Sequence, residues 1–315
     1  MIKLAALLPA TTLAPALAGL DVAGLASDSR LIQPGFVFFA VPGAKADGGI
    51  YVADALKRGA LAIVGETAAA TPELALVPVP DVRTALSQAA AIFYPRQPQT
   101  IVAITGTSGK TSIASFMRQI WTRLGHSAAS VGTLGIVSPK GEHYGSLTTP
   151  DPVSLHRQLD ELAGEGVTHL ALEASSHGLD QHRLDGVRLS AGAFTNLSRD
   201  HLDYHHTFEA YLAAKLRLFE ALLQPGQPAV IDADSEAAAA VMAACTRRGL
   251  KLFTTGARGH DLRLMETRPD GFATRLKIAC AGHRLQSITS STSTRLGMNS
   301  TRRSARPCST AAASR

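Results

Sequence analysis

The run Phe194-Thr-Asn-Leu-Ser-Arg-Asp-His201-Leu-Asp203-Tyr-His205 gathers groups able to ligate a metal, and Lys215 follows it. From Phe208 the apolar residues Tyr211, Leu212, Leu216, Phe219, Leu222 and Leu223 recur at a helical period, with Lys215 one turn from both Tyr211 and Phe219. A cation on that face either snorkels, packing its stem while its ammonium reaches water, or is buried for a chemical reason. His201, Asp203, His205 and His206 suit structural roles or a metal site. His201 follows a strand end and the polar turn 196–200, which favours ligation.

Upstream, Ile101-Val-Ala-Ile-Thr-Gly106-Thr107-Ser108-Gly109-Lys110-Thr111 reads as a strand, a tight glycine turn and a helix over 112–124. Glycines let backbone N–H groups approach phosphates, the helix N-terminus adds positive potential, Lys110 can reach the β- and γ-phosphates, and the Thr111 hydroxyl can bind Mg²⁺. Only two residues separate the glycines, and Ile104 stands where a P-loop has its first glycine. A turn that merely joins strand to helix is the competing explanation; Gly-Lys-Thr in this context favours ATP. The strand over 167–172 ends at Glu173, a carboxylate beside the cradle where a second Mg²⁺ contact belongs. Ser175-Ser176-His177 lacks the nucleophile elbow of a serine hydrolase. A two-metal hydrolase built on the histidines would have no use for a phosphate cradle.

These groups need rigid elements beneath them. Strands are expected at 36–41 and 61–64 with helices at 51–58 and 82–93, and the proline-bearing stretch 94–99 suits a domain boundary. A second unit follows, with strands at 101–105, 167–172, 191–195, 229–231 and 250–253 alternating with helices, which predicts a mainly parallel sheet. The net charge of +6 and pI near 9.4 do not mark a nucleic-acid binder. Residues 287–315 hold five arginines and no acids; removing these five from the 31 Lys and Arg leaves 26 against 25 Asp and Glu, which gives no global basic field. Three scattered cysteines indicate neither a disulfide framework nor a zinc site and suit a reducing cytoplasm. Lys3 and Ala16-Leu17-Ala18 imitate a secretion signal, but Pro9, Thr11, Thr12 and Pro15 interrupt its apolar core. No apolar stretch is long enough to span a membrane.

Three motifs then carry a resemblance. Gly-Thr-Ser-Gly-Lys-Thr (106–111), Glu-Ala-Ser-Ser-His-Gly-Leu-Asp-Gln-His-Arg (173–183) and Thr-Asn-Leu-Ser-Arg-Asp-His-Leu-Asp-Tyr-His (195–205) resemble, in this order, those of the Mur ligase family, over about residues 20–286. The resemblance implies an α/β uridine-nucleotide domain over 1–97 and a P-loop-type ATPase domain with a mainly parallel sheet over 98–286. It implies a monomeric cytoplasmic ligase of peptidoglycan precursor synthesis, dependent on ATP and Mg²⁺. That ligase joins meso-diaminopimelate, or in some members L-lysine, to UDP-N-acetylmuramoyl-L-alanyl-D-glutamate through an acyl phosphate. Gly106, Thr107, Ser108, Gly109, Lys110 and Thr111 would hold ATP. Ser29 in Asp28-Ser29-Arg30, the loop 43–48, Thr148, Thr149, Ser175, Gln181 and Arg183 would hold the UDP-linked substrate. Thr111, Glu173, His201 and Lys215 would hold the metal, and Lys110, Lys215, His201 and Glu173 would carry catalysis. Lys215 matches a lysine carbamylated by CO₂, which turns a repelling ammonium into an anionic oxygen ligand.

The sequence departs from the family at two places. Ser108 stands where asparagine is frequent, at a position that acts mainly through backbone. From Ser287 onward no period and no acid is found, so 287–315 is expected to be a disordered tail, an out-of-frame extension in place of the family's third domain with its Asp-Asn-Pro-Arg motif. The chain as it stands is therefore expected to bind nucleotides without completing ligation. The alternatives are an L-lysine-adding homologue, a ligase such as a folylpolyglutamate synthetase, and a non-catalytic nucleotide-binding remnant. Asp28-Ser29-Arg30 and Gln181-His182-Arg183 argue against the folylpolyglutamate type.

Overall fold

The computed structural model describes residues 2–43, 48–66, 76–145, 147–200, 202–270, 273–280 and 283–291. His201, most of the loop 43–48 and everything beyond 291 lie outside the described residues. The chain opens with β1 (Ile2–Lys3), α1 (Leu4–Leu7) and α2 (Pro15–Ala18), then β2 (Asp21–Val22), which pairs antiparallel with β1. Leu4 and Leu7 pack with Val37, Val64 and Leu86, so the apolar stretch that imitates a signal serves as core.

A four-stranded parallel sheet follows, from β3 (Gly24–Ala26), β4 (Phe36–Phe39), β5 (Ala62–Gly65) and β6 (Leu76–Pro78), with α3 (Val52–Lys57) and α4 (Val82–Phe93) on opposite faces. Strand periodicity decides the faces. Val37 and Phe39 meet Val82 and Leu86 of α4, whereas Phe38 and Ile63 meet Val52 and Ala55 of α3. Asp81 starts α4 by accepting from the N–H groups of Arg83 and Thr84 at 2.9 and 3.1 Å.

The second unit runs β7 (Thr100–Thr105), α5 (Lys110–Arg123), β8 (Ala128–Gly132), β9 (Gly135–Ser138), β10 (Gly141–His143), α6 (Pro152–Gly164), β11 (His169–Glu173), α7 (Ser176–Asp180), β12 (Ala191–Phe194), α8 (Leu202–His205) and α9 (Phe208–Arg217). A π-helical turn, Leu218–Leu222, leads to β13 (Pro228–Asp232), α10 (Ala238–Arg248), β14 (Lys251–Gly256), β15 (Leu262–Asp270), β16 (Ala273–Cys280) and β17 (His283–Ser291). All eleven strands form one sheet, ordered β10-β9-β8-β11-β7-β12-β13-β14-β15-β16-β17, parallel from β8 to β15 by way of β11, β7, β12, β13 and β14. Central β7 is apolar along its length because helices cover both faces. It is flanked by β11 and β12, so the strand order reverses around it, and the groups just past its C-terminal end face the crevice such a reversal creates.

The expected tail boundary at 286 falls inside β17. Residues 283–291 pair with β16 from Ala273↔Ser291 to Cys280↔His283, so 287–291 is strand and not tail. Backbone ladder bonds to β16, itself a strand-like stretch in the sequence, place 287–291 in a strand where side-chain pattern gave no signal. Cys245 and Cys280 are free thiols.

His156 of α6 is fully buried where the two units meet. Its Nε2–H donates to the Asp185 carbonyl at 3.2 Å, Nδ1 has no partner, and burial depresses its pKa to about 4. Between about pH 4 and 6.5 the unfolded chain binds a proton the folded one refuses, so stability is lost as pH falls through that window, by about 3 kcal/mol for the whole shift. His156→Gln keeps a donor for Asp185 and removes the titration. Urea unfolding from pH 7 to 4 is expected to lose stability more steeply in the parent than in this variant.

Candidate functional site

Beyond β7 the chain turns sharply at Gly106 and Gly109, both at positive φ (142° and 86°), and enters α5 with no side-chain cap on its first N–H groups. That leaves a donor-rich, positive helix end open to an anion. A Cβ at Gly106 would lie 1.9 Å from Thr195 Oγ1, so glycine is required by close approach as well as by backbone angle. The loop is braced from the end of β12. Thr195 Oγ1 donates to the Ser108 carbonyl at 2.7 Å, Asn196 Oδ1 accepts from Ser108 N–H at 3.0 Å, and the Asn196 carbonyl accepts from Thr107 N–H at 2.9 Å. Ser198 N–H donates to Thr107 Oγ1 at 3.0 Å. Thr195 through Ser198 therefore support the cradle, a role that sequence analysis did not assign to them, and Ser108 makes these contacts through its backbone.

Two lysines converge on one oxygen. Lys110 Nζ donates to the carbonyls of Gly106 and Thr107 at 2.8 and 2.9 Å, and Lys215 Nζ donates to the same Gly106 carbonyl at 2.9 Å. Lys215 is 1% exposed and its Nζ lies 4.4 Å from the Tyr211 ring centre, so snorkelling is excluded. Burial, reinforced by the Lys110 charge, pushes its pKa down to about 7. Burial also lowers Lys110, opposed by Glu173 and Asp200.

On the neighbouring strand, Glu173 ends β11 nearly buried. Its Oε1 accepts from Thr133 N–H at 2.9 Å, and its Oε2 accepts from the hydroxyls of Thr111 at 3.0 Å and Thr133 at 3.2 Å. Thr148 Oγ1 lies 3.1 Å from Thr133 Oγ1. Among the described residues no group of three or more His, Cys, Asp and Glu could hold a metal ion alone. The donor set still fits Mg²⁺, which takes hard oxygen ligands, keeps several waters and needs only one or two carboxylates beside substrate phosphates. Thr133 was missed in the sequence, where a lone threonine in a glycine-rich turn carries no signal.

A third group adjoins these two. Thr149 Oγ1 donates to the Glu173 carbonyl at 2.9 Å and accepts from Ser175 N–H at 3.0 Å. Arg183 Nη1 donates to the Thr149 carbonyl at 2.7 Å, and its Nε and Nη2 donate to Gln181 Oε1 at 3.2 and 2.6 Å. Gln181 Nε2 donates to Tyr204 OH, which donates to Asp180 Oδ2 at 2.8 Å. Tyr204 thus orients Gln181 and Arg183, a role not foreseen. Ser29 stands apart in the first unit. It is buried at the start of a 3₁₀ turn, while Ser27, Asp28 and Leu31 line a cavity of about 510 Å³ reaching Asp151, Ser154 and Arg157. A wider hollow of about 730 Å³ lies on the Asn196 side of the cradle, bounded by Arg199, Phe208 and Glu236.

Residues 104–297 match the Mur ligase middle domain, and residues 21–94 match the catalytic domain of the Mur ligase family. The chain belongs to the Mur ligase family. It is similar to UDP-N-acetylmuramoyl-L-alanyl-D-glutamate--2,6-diaminopimelate ligases from Bradyrhizobium diazoefficiens, 56% identical over 274 residues, and Brucella melitensis, 54% identical over 269 residues. These matches cover 86% and 84% of this chain but 56% and 55% of those proteins. A solved structure of a ligase of the same name superposes with TM-score 0.79 at 28% identity, over 91% of this chain and 59% of that one. A MurF ligase from Thermotoga maritima in complex with ADP shares the fold at TM-score 0.56 and 20% identity, over 86% of this chain and 58% of that one. The chain thus spans little more than half the length of these relatives.

Glu173 fits its place only because residue 132 has no side chain: a Cβ there would stand 2.0 Å from Oε1 and 2.4 Å from Cδ. Since only side-chain atoms obstruct it, Gly132→Ala should turn the carboxylate aside and leave β8 intact. The expected result is cooperative thermal unfolding close to the parent's, with calorimetric affinity for Mg²⁺ and ATP weakened roughly tenfold or more, the scale of a lost charge-assisted contact.

Proposed function

We propose that this chain supplies the nucleotide-binding, carboxylate-activating part of an ATP-dependent amide-bond ligase. Its substrates would be those named for its relatives, UDP-N-acetylmuramoyl-L-alanyl-D-glutamate and, as the incoming amine, meso-diaminopimelate. The observation that carries this is the meeting of the glycine cradle, two lysines and the Glu173 carboxylate at one switch point of the sheet.

In the reaction so assigned, the substrate's glutamyl carboxylate attacks the γ-phosphorus of ATP and expels ADP as the bond to the β,γ-bridging oxygen breaks, and the amine then displaces phosphate from the acyl phosphate with loss of a proton. No protein nucleophile is needed. The chain's task is positioning and charge stabilisation. Cradle N–H groups and the α5 N-terminus hold phosphate oxygens, and Lys110 turns from two carbonyls onto the transferring group. Thr149, Ser175, Gln181 and Arg183 hold the UDP-linked substrate so that its carboxylate faces the cradle. Bound Mg²⁺ supplies compensation for phosphate charge, and Thr111 and Glu173 would hold it. A reactive amine at Lys215 supports carbamylation there: its lone pair adds to CO₂, a proton is released, and an anionic oxygen replaces the ammonium. His201, which lies outside the described residues, belongs to the same proposed metal set. No described helix is long and apolar enough to cross a membrane, and a monomer acting in the cytoplasm is part of the proposal.

Two measurements check it. Isothermal titration should detect ATP binding to the chain in Mg²⁺, and Lys110→Ala should weaken it at least tenfold, as expected for loss of a charged phosphate donor; equal affinity would remove Lys110 from the phosphate site. With ¹³C-labelled bicarbonate, a carbamate carbon signal is expected in the parent and absent in Lys215→Ala. A spectrum without that signal in the parent would refute the modification.

A further inference from the structure

Between the two units lies a cavity of about 200 Å³ lined by Ser27, Val41, Arg83, Asp151, Gln181 and Arg183. Its two arginines come from opposite sides, Arg83 from the first turn of α4 and Arg183 from the turn after α7. Arg83 is half-buried, and its guanidinium donates to the Pro42 carbonyl at 2.5 Å; among the described residues it has no other hydrogen-bond acceptor and no carboxylate pairs with it. Arg183 likewise has no ion pair among them and is held by neutral acceptors, Thr149 O and Gln181 Oε1. Burial lowers the pKa of Arg183, opposed by Asp151 and Tyr204 and reinforced to a smaller extent by the Arg83 charge, and Asp151 is the one acid on the cavity wall. A half-buried cation without a counter-ion is costly, and two facing one small cavity invite an anion.

The joint between the units fixes this opposition. His182, between Gln181 and Arg183, adopts a left-handed backbone (φ 58°), and its carbonyl accepts from Ser87 Oγ of α4 at 2.6 Å. Its Nδ1 lies 2.7 Å from Thr84 Oγ1, and Asp185, itself paired with Arg217, lies 3.2 Å from the same nitrogen. Thr84 adjoins Arg83, and His182 adjoins Arg183. One strained residue therefore locks the two arginine-bearing turns together.

We propose that Arg83 is a further substrate-binding residue, which with Arg183 forms a two-guanidinium clamp across the interdomain cavity for an anionic group of the UDP-linked substrate. The cavity shares Ser27 and Asp151 with the larger one beside Asp28. Arg183 on its wall donates to the Thr149 carbonyl, and Thr149 Oγ1 donates to the Glu173 carbonyl, so on the ligase assignment the group it meets would lie between the uridine end and the reacting carboxylate. The pyrophosphate and a peptide carboxylate share the required chemistry. This inference rests on the ligase assignment above.

The test is titration of the full chain and its Arg83→Met and Arg83→Lys variants with UDP-N-acetylmuramoyl-L-alanyl-D-glutamate, and with UDP, which keeps the pyrophosphate and lacks the carboxylates. Arg83→Met should weaken the substrate about tenfold or more and flatten the salt dependence of binding, Arg83→Lys should restore part of the loss, and ATP affinity and thermal unfolding should stay at the parent's values. A loss shared by UDP identifies the pyrophosphate, and a loss confined to the peptide-bearing ligand identifies a carboxylate. Parent-like affinity and salt dependence in Arg83→Met overturn the clamp while leaving the ligase assignment intact. A parent chain that binds ATP but not the UDP-linked substrate overturns both.

Discussion

Lys110 and Lys215 donate to the same carbonyl, that of Gly106, one across the mouth of the phosphate cradle and the other from a buried helix face. Two positive charges sharing one neutral acceptor in a place with little water is a state the fold sustains only at a cost. Charge is relieved there in two ways, by an anion arriving at the cradle and by Lys215 shedding its proton, and the depressed pKa of Lys215 shows that burial has already biased the second. The same arrangement that weakens the unliganded site electrostatically would, on the proposed function, favour polyphosphate there.

The sheet makes the arrangement possible. With β7 between β11 and β12, the cradle, Glu173 and the Thr195–Asn196 brace emerge from three adjacent strands at the same end. Small residues let them close up. Gly132 admits the Glu173 carboxylate, Gly106 admits Thr195, and Gly178 lies under Thr149, where a Cβ would stand 2.6 Å from its Cγ2. Parallel strands fix the cradle and Glu173 to one another, whereas the proposed UDP-linked substrate would have to bridge two units joined through α4 and His182. On that assignment, substrate binding and interdomain geometry would be linked.

Most of this was legible where chemistry is written locally. The cradle, Glu173 at a strand end and the lysine on an apolar helix face all follow from spacing, and the helix at 82–93 matches α4 residue for residue. What escaped has physical causes. β8 is built from Ala128-Ala-Ser-Val-Gly, in which only Val131 is a strong strand former, and neighbours on both sides supply the ladder that buries it. In the β15–β17 ribbon only the strand-like stretch 272–280 was legible; β15 is largely polar and exposed, and β17 extends past the boundary that composition suggested at 286. Thr133, Tyr204 and the Arg83–His182 joint act through contacts distant in sequence, which no periodicity encodes. At Lys215 the cradle, Glu173 and the family resemblance already pointed away from snorkelling, and its 1% exposure agrees with burial.

The most direct test of the central claim is a crystal structure of this chain grown with Mg²⁺ and a non-hydrolysable ATP analogue. The predicted result has the β- and γ-phosphates on the loop 106–111, Lys110 Nζ moved from the Gly106 and Thr107 carbonyls onto phosphate oxygens, and a metal ligated by Thr111 and Glu173. A nucleotide seated elsewhere, or one on the loop with Lys110 still bound to both carbonyls and the metal away from Glu173, would contradict it.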